Sequence, residues 1–183
     1  RILDFDLLPV SVRYEGIEFD DVMHGWTESR SLSIGRTNAK KILTGFGISQ
    51  SNPYLTAKLF HFTSLTDCYW MKEEGDQAVW EDVSLFSNPL EKSVSSTALL
   101  GVPGYFKDRL QNGMASVKPQ IHTPELTAQG MSAKAWIREE DGIYLYKVGK
   151  KELAACCILD ALGICHVSYE EVPEQKLKAL ADE

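Results

Sequence analysis

The sequence predicts an α+β fold: a mostly helical N-terminal unit with short strands, then an antiparallel sheet backed by one buried helix. Three observations carry that reading. The runs "AKAWIRE" and "GIYLYKVG" have strand-like patterns on either side of Asp141-Gly142, a dipeptide that favours tight hairpin turns because both residues tolerate positive φ. The following "KELAACCILDAL" is apolar nearly all round and stops at Gly163, the pattern of a helix covered on most of its surface. Upstream, residues 33–63 carry apolar positions at helical spacing, punctuated by Gly and Pro.

Taken in order, residues 1–22 read as one or two short strands, because "LLPVSVRYEGIEF" alternates and breaks at Gly16. Thr37 is placed to cap "NAKKILTGF", which sets Ile42, Leu43 and Phe46 on one face and ends at Gly45 and Gly47. "NPYLTAKLFHF" forms a second helix with Pro53 in its first turn, where a missing amide hydrogen costs nothing. "SLTDCYWMKEEG" and "WEDVSLFSNPL" gather Tyr69, Trp70, Trp80 and Phe86 beside turn residues. That grouping reads as a satellite core under a loop, in which Trp70 is expected to be buried; a ligand pocket walled by Tyr69, Trp70 and Trp80 is the alternative. Residues 91–123, rich in Ser, Thr, Gly and Pro, read as a long surface connection with one short helix near "GYFKDRL". The chain then divides into a unit over 1–100, a connection over 101–122 and an α+β unit over 123–183. Beyond the hairpin and its helix, "ICHVSYEEV" reads as a further strand and "PEQKLKALADE" as a charged helix.

Composition narrows the function classes. The formal net charge is −7, and no basic cluster exceeds Lys40-Lys41 or Lys150-Lys151, which disfavours direct nucleic-acid binding through clustered cations. No apolar run approaches the roughly 20 residues of a membrane span. "RILDFDLLPV" carries acids where a secretory segment is apolar. The expectation is a cytoplasmic protein away from membranes, with Cys68, Cys156, Cys157 and Cys165 as reduced thiols. Cys157, Cys165 and His166 lack a CxxC spacing and a fourth ligand, so no zinc site is expected. A nucleophilic pair of Cys68 with His61 or His122 has nothing in the sequence to bring it together. Glu73-Glu74 and Glu139-Glu140 read as solvated turn charges.

The chemistry concentrates around Lys147. It ends the second strand of the hairpin beside Gly149, and Glu152 falls in the first turn of the next helix, where the helix dipole favours a carboxylate. A strand lysine and a helix glutamate are the two partners that hold ATP phosphates in protein kinases. Upstream, "LTAQGMSAK" sets Gly130, Met131, Ser132 and Lys134 just before the first strand. Glycine there allows backbone amides to approach a phosphate closely.

The motifs "SLTDCYWMK", "WEDVSLFSN", "TPELTAQG", "KAWIREEDGIYLYKVG" and "LGICHVSYE" resemble the HipA-like kinases, in particular a clostridial and mobile-element-associated branch. The likeness covers most of the chain from about residue 24 onward, and the first two motifs are the more specific to that branch. It implies a kinase N-lobe-like sheet with an extra N-terminal region, ATP and Mg as cofactors, and phosphorylation of Ser or Thr on a protein. A protein substrate or an antitoxin-like regulator would be the partner. It also implies that Gly130, Met131, Ser132 and Lys134 lie in the phosphate-covering loop, that Lys147 is the ATP lysine and that Glu152 is its helix partner. Two departures stand out. Only "VGKK" separates Lys147 from the helix, which sets Glu152 very early in it and works against pairing, and Val148 stands where glycine is common. No HxD-type catalytic loop or metal-binding Asp follows within the 183 residues. This chain alone is therefore expected to be inactive: the N-terminal region and N-lobe of a kinase, cut short in the gene or the expressed protein. A non-catalytic protein-interaction module is the alternative.

Overall fold

A computed structural model describes residues 5–13, 18–49, 52–106 and 121–181. Among them are two 3-10 turns (Phe5–Leu7 and Val10–Val12) and helices α1 (Phe19–Ser29), α2 (Ala39–Gly45), α3 (Pro53–Leu59), α4 (Trp80–Val83), α5 (Lys92–Leu100), α6 (Lys151–Ala161) and α7 (Glu174–Ala181). Strands β1 (Lys134–Arg138) and β2 (Ile143–Lys147) form one antiparallel sheet. The fold is mixed α+β.

Several elements form as expected. The hairpin closes with the Glu139 amide donating to the Gly142 carbonyl at 2.8 Å, and its register sets Lys134 opposite Lys147, Ala135 opposite Tyr146 and Trp136 opposite Leu145. Asn52 caps α3 by accepting from the Leu55 amide at 3.2 Å, with Pro53 in the first turn. Ile42, Leu43 and Phe46 are buried. Gly45 is required where it stands, because a Cβ there would lie 2.5 Å from the Gly104 carbonyl oxygen.

Other expectations are corrected. The described part of residues 1–22 holds 3-10 turns and the start of α1 instead of strands. Pro9 fixes φ at −52° ahead of the second turn, and the Arg13 side chain donates back to the carbonyls of Leu8 and Asp6, so the backbone curls instead of extending. The position of Gly16 lies outside the described residues. Thr37 does not cap α2. Asn38 holds the N-cap position at φ 67°, while the Thr37 amide and hydroxyl both donate to the Met131 carbonyl, at 2.9 and 3.2 Å.

The largest correction is α5, which lies in the stretch read as a surface connection. Its Val94, Ser95, Ser96, Thr97, Ala98 and Leu99 are all buried. The hydroxyls that imitate a loop composition are satisfied inside the helix: Ser96 donates to the Lys92 carbonyl at 3.0 Å and Thr97 to the Ser93 carbonyl at 2.9 Å. Ser95 donates across to the Trp136 carbonyl of β1 at 3.1 Å. Gly101 ends the helix at φ 71°. Of the expected helix near "GYFKDRL", residues 107–110 lie outside the described residues; Phe106 is buried and its amide donates to the Gly45 carbonyl at 2.7 Å.

The main core joins Leu32, Ile42, Phe46, Phe60, Val94, Ala98, Phe106, Ile121, Leu126, Ala135 and Tyr146, drawing on residues both before and after 101–122. A second cluster holds Val12, Trp26, Ala57 and Phe62, with Tyr69 and Met71 against it. Trp70, expected in a core, is only half-buried, lying edge-on to His61 with ring centroids 6.0 Å apart. Helix α7 packs its Leu177 and Leu180 on the main core. Helix α6 is not covered on most of its surface: only Cys156 is buried. Residues 164–172 form no strand, since a strand needs an edge to pair with and this segment has none among the described residues.

One fully buried ion pair ties these parts together. Arg36 donates to the carboxylate and the backbone carbonyl of Glu125 and to the carbonyl of Lys134. Glu125 Oε1 accepts from the Trp136 amide at 2.8 Å. Burial pushes the Glu125 carboxyl above its ordinary range, and the Arg36 guanidinium opposes that shift. Removing one member leaves a buried charge alone, so Glu125→Ala is expected to lower the unfolding free energy in urea by about 3–5 kcal/mol, and Arg36→Met/Glu125→Leu by clearly less. Trp26→Ala is expected to cost about 3–5 kcal/mol in the same measurement, and half-buried Trp70→Ala distinctly less.

Candidate functional site

Alternation along the hairpin sorts its side chains. Ala135 and Tyr146 enter the core. Their neighbours Lys134, Trp136, Leu145 and Lys147 share the opposite face. The Val148 amide donates to the Ala133 carbonyl at 3.0 Å, which carries the pairing one residue past β2. Gly149 then turns at φ 117°, a conformation costly for any residue with a Cβ. That turn brings the first helical residues of α6 back toward the strand end.

The result is an ion pair between Lys147 Nζ and Glu152 Oε1. The four-residue link therefore does not prevent the contact, contrary to the expectation drawn from its shortness. The side chains are 25% and 33% exposed, so the pair is open to a ligand. The hydrogen bond from Lys147 holds the Glu152 carboxyl below its ordinary value.

Lys134 faces Lys147 across the ladder. Burial first, then the positive charges of Arg36 and Lys147, hold its ammonium group below the ordinary lysine value. Its Nζ donates to the Gln129 carbonyl and folds over Gly130, where φ is 98° and a Cβ would lie 2.4 Å from that nitrogen. Gly130, Lys134, Lys147 and Glu152 are thus brought together. Met131 is turned elsewhere: its carbonyl accepts from Thr37, and its thioether lies against Gly35, where a Cβ would sit 2.4 Å from the Met131 methyl carbon. Ser132 is exposed.

A cleft of about 330 Å³ continues from this face toward the N-terminal unit. Lys134, Trp136 and Leu145 line one side, and Trp26, Arg30 and residues 64–67 line the other. Arg30 is locked in place: it donates to the Phe62 and Tyr69 carbonyls at 2.6 and 3.2 Å, pairs with Asp67, and lies 4.1 Å over the Trp26 ring. Sequence reasoning missed this wall. Its signal in the sequence is "SLTD", which runs directly into the aromatic cluster. Tyr69, Trp70 and Trp80 do not line the cleft; Tyr69 packs on the second cluster and Trp80 lies 6.5 Å from Phe86. His61 is bound to Asp76 at 2.8 Å and His122 to the Asp82 carbonyl at 2.9 Å.

No family model matches the chain, and neither the curated proteins nor the solved structures gave a significant match.

The depressed Glu152 carboxyl gives a pH dependence. Its stabilising contribution is present above the ordinary glutamate pKa of 4.5 and is lost as pH falls through the lower folded value. A carboxyl-carbon NMR titration is expected to show Glu152 titrating below 4.5, and Lys147→Met is expected to return it toward that value.

Proposed function

We propose that the face bearing Lys147 and Lys134 binds the phosphates of ATP, as the N-terminal part of a HipA-like protein kinase. The observation that carries this reading is the Lys147–Glu152 pair, which joins a strand end to the first turn of a helix. A lysine free to rotate would lose entropy on meeting phosphate; one already held by a carboxylate is positioned in advance. Lys134, opposite Lys147 in the ladder, adds a second cation once it leaves the Gln129 carbonyl. Gly130 keeps the approach to both lysines free of a side chain. Electrostatic positioning of this kind is most of what phosphoryl transfer asks of a protein.

The residues present fit the triphosphate better than the metal. Glu152 is engaged by Lys147, and among the described residues no group of three His, Cys, Asp or Glu side chains can hold a metal ion. Mg would be held by acidic residues of the catalytic lobe that the resemblance implies, and this chain would supply the cationic side of the site. Ser or Thr on a protein would then be the acceptor.

A second reading, a non-catalytic module that contacts a protein such as an antitoxin-like regulator, draws on the outer surface of α6 and the segment after it. Ile158, Leu162 and Val167 are 62%, 65% and 75% exposed, and exposed apolar patches mark protein contacts.

Amide NMR during titration with ATP separates the two. Nucleotide binding is expected to be weak, to shift Gly130, Lys134 and Lys147, and to vanish in Lys147→Ala with the fold retained. Shifts elsewhere, or shifts unchanged by Lys147→Ala, would remove the lysine from the site and favour the second reading.

A further inference from the structure

Residues 164–172 run back along α6 with no ladder partner among the described residues. Near the helix C-terminus the Ile164 amide donates to the Leu159 carbonyl at 2.9 Å. Near its N-terminus Lys150 pairs with Glu171 at 2.7 Å, both well exposed. Between these points the His166 ring is inserted against the helix.

Both ring nitrogens of His166 face acceptors. Nδ1 lies 2.7 Å from the Val167 carbonyl oxygen, and Nε2 lies 3.0 Å from Asp160 Oδ1. A carbonyl oxygen never donates, and neither does an ionised carboxylate. A neutral imidazole has a single N–H, so either tautomer leaves one nitrogen lone pair directed at an oxygen lone pair. Cys156 Sγ, 3.1 Å from Nδ1 and 3.4 Å from the Val167 oxygen, can donate its one hydrogen to either, and relieves neither tautomer completely. Only the imidazolium satisfies both contacts. The titratable groups facing the ring from α6 are Asp160 and Cys156, with Cys157 beside the latter; its own segment offers only the Val167 carbonyl. The His166 side chain is 16% exposed and that of Asp160 75%, so the ring lies at the water boundary, where protons exchange freely.

We propose that His166 is a proton-operated clasp: its doubly protonated ring joins α6 to residues 164–172, and loss of one proton releases the segment from the helix. The carbonyl of Val167 and the carboxylate of Asp160 raise the His166 pKa above its ordinary 6.5. A raised folded value means that the stabilisation is fully present below the ordinary value and is lost as pH rises through the folded one. The clasp therefore holds fully below the ordinary value of 6.5 and opens as pH rises through the raised folded one. This inference is independent of the nucleotide reading.

The test is NMR on the whole chain from about pH 5 to about pH 8, the range in which histidine titrates. It combines a His166 ring titration with backbone nitrogen order parameters over residues 165–170. Order is expected to fall with the same midpoint as the ring, and that midpoint to lie above 6.5. Asp160→Asn, at an exposed site, is expected to lower the midpoint of both readouts together. His166→Gln is expected to give low order that no longer varies with pH. A midpoint at or below the ordinary value, or order in the unaltered protein that ignores the ring titration, would overturn the clasp.

Discussion

The buried contact between Arg36 and Glu125 is the constraint from which the rest follows. The guanidinium reaches the Lys134 carbonyl while the carboxylate takes the Trp136 amide, so the pair grips β1 from both sides of Ala135. That residue is fully buried against α5 and its neighbours. With β1 fixed there, the period-two alternation of a strand leaves no choice for Lys134 and Trp136: they face away from the core. The ladder then carries the same decision to Leu145 and Lys147. A charged pair deep in the core thus selects which face of the hairpin is polar, far more strictly than an apolar contact that could slide.

Helix α5 does the complementary work on the other face. Small residues let it approach the sheet closely, and Ser95 binds the Trp136 carbonyl directly. One side of β1 is held by the Ser95 hydrogen bond from α5, and the loop containing Glu125 holds its N-terminal half. The free face keeps its two lysines and the Glu152 partner of one of them. The site is the remainder after core and anchors have been assigned.

How much of this could be read from residues follows from the range of the forces. The hairpin was legible because Asp141-Gly142 and strand-like patterning are local. The same holds for α3, whose Asn52 and Pro53 act within one turn, and for Lys147 and Glu152, only five residues apart. Helix α5 was illegible because its Ser and Thr hydroxyls, which composition assigns to loops, are satisfied by carbonyls one turn back. The "ICHVSYEEV" run has strand-like residues but no edge to join among the described residues, and pairing is a non-local property. Apolar content marked α6 as a helix but could not say what covers it. The cleft is not legible in the sequence because its walls, Arg30 and Lys134 among them, are brought together only by the fold.

The tether between Thr37 and the Met131 carbonyl has a mechanical consequence. It pins the glycine-bearing turn at its midpoint to the residues ahead of α2, and the missing side chain at Gly35 lets the thioether lie flush against them. Lifting that turn like a lid would first have to break both of these hydrogen bonds. The tether thus joins the residues ahead of α2 to the turn that leads into β1 and Lys134.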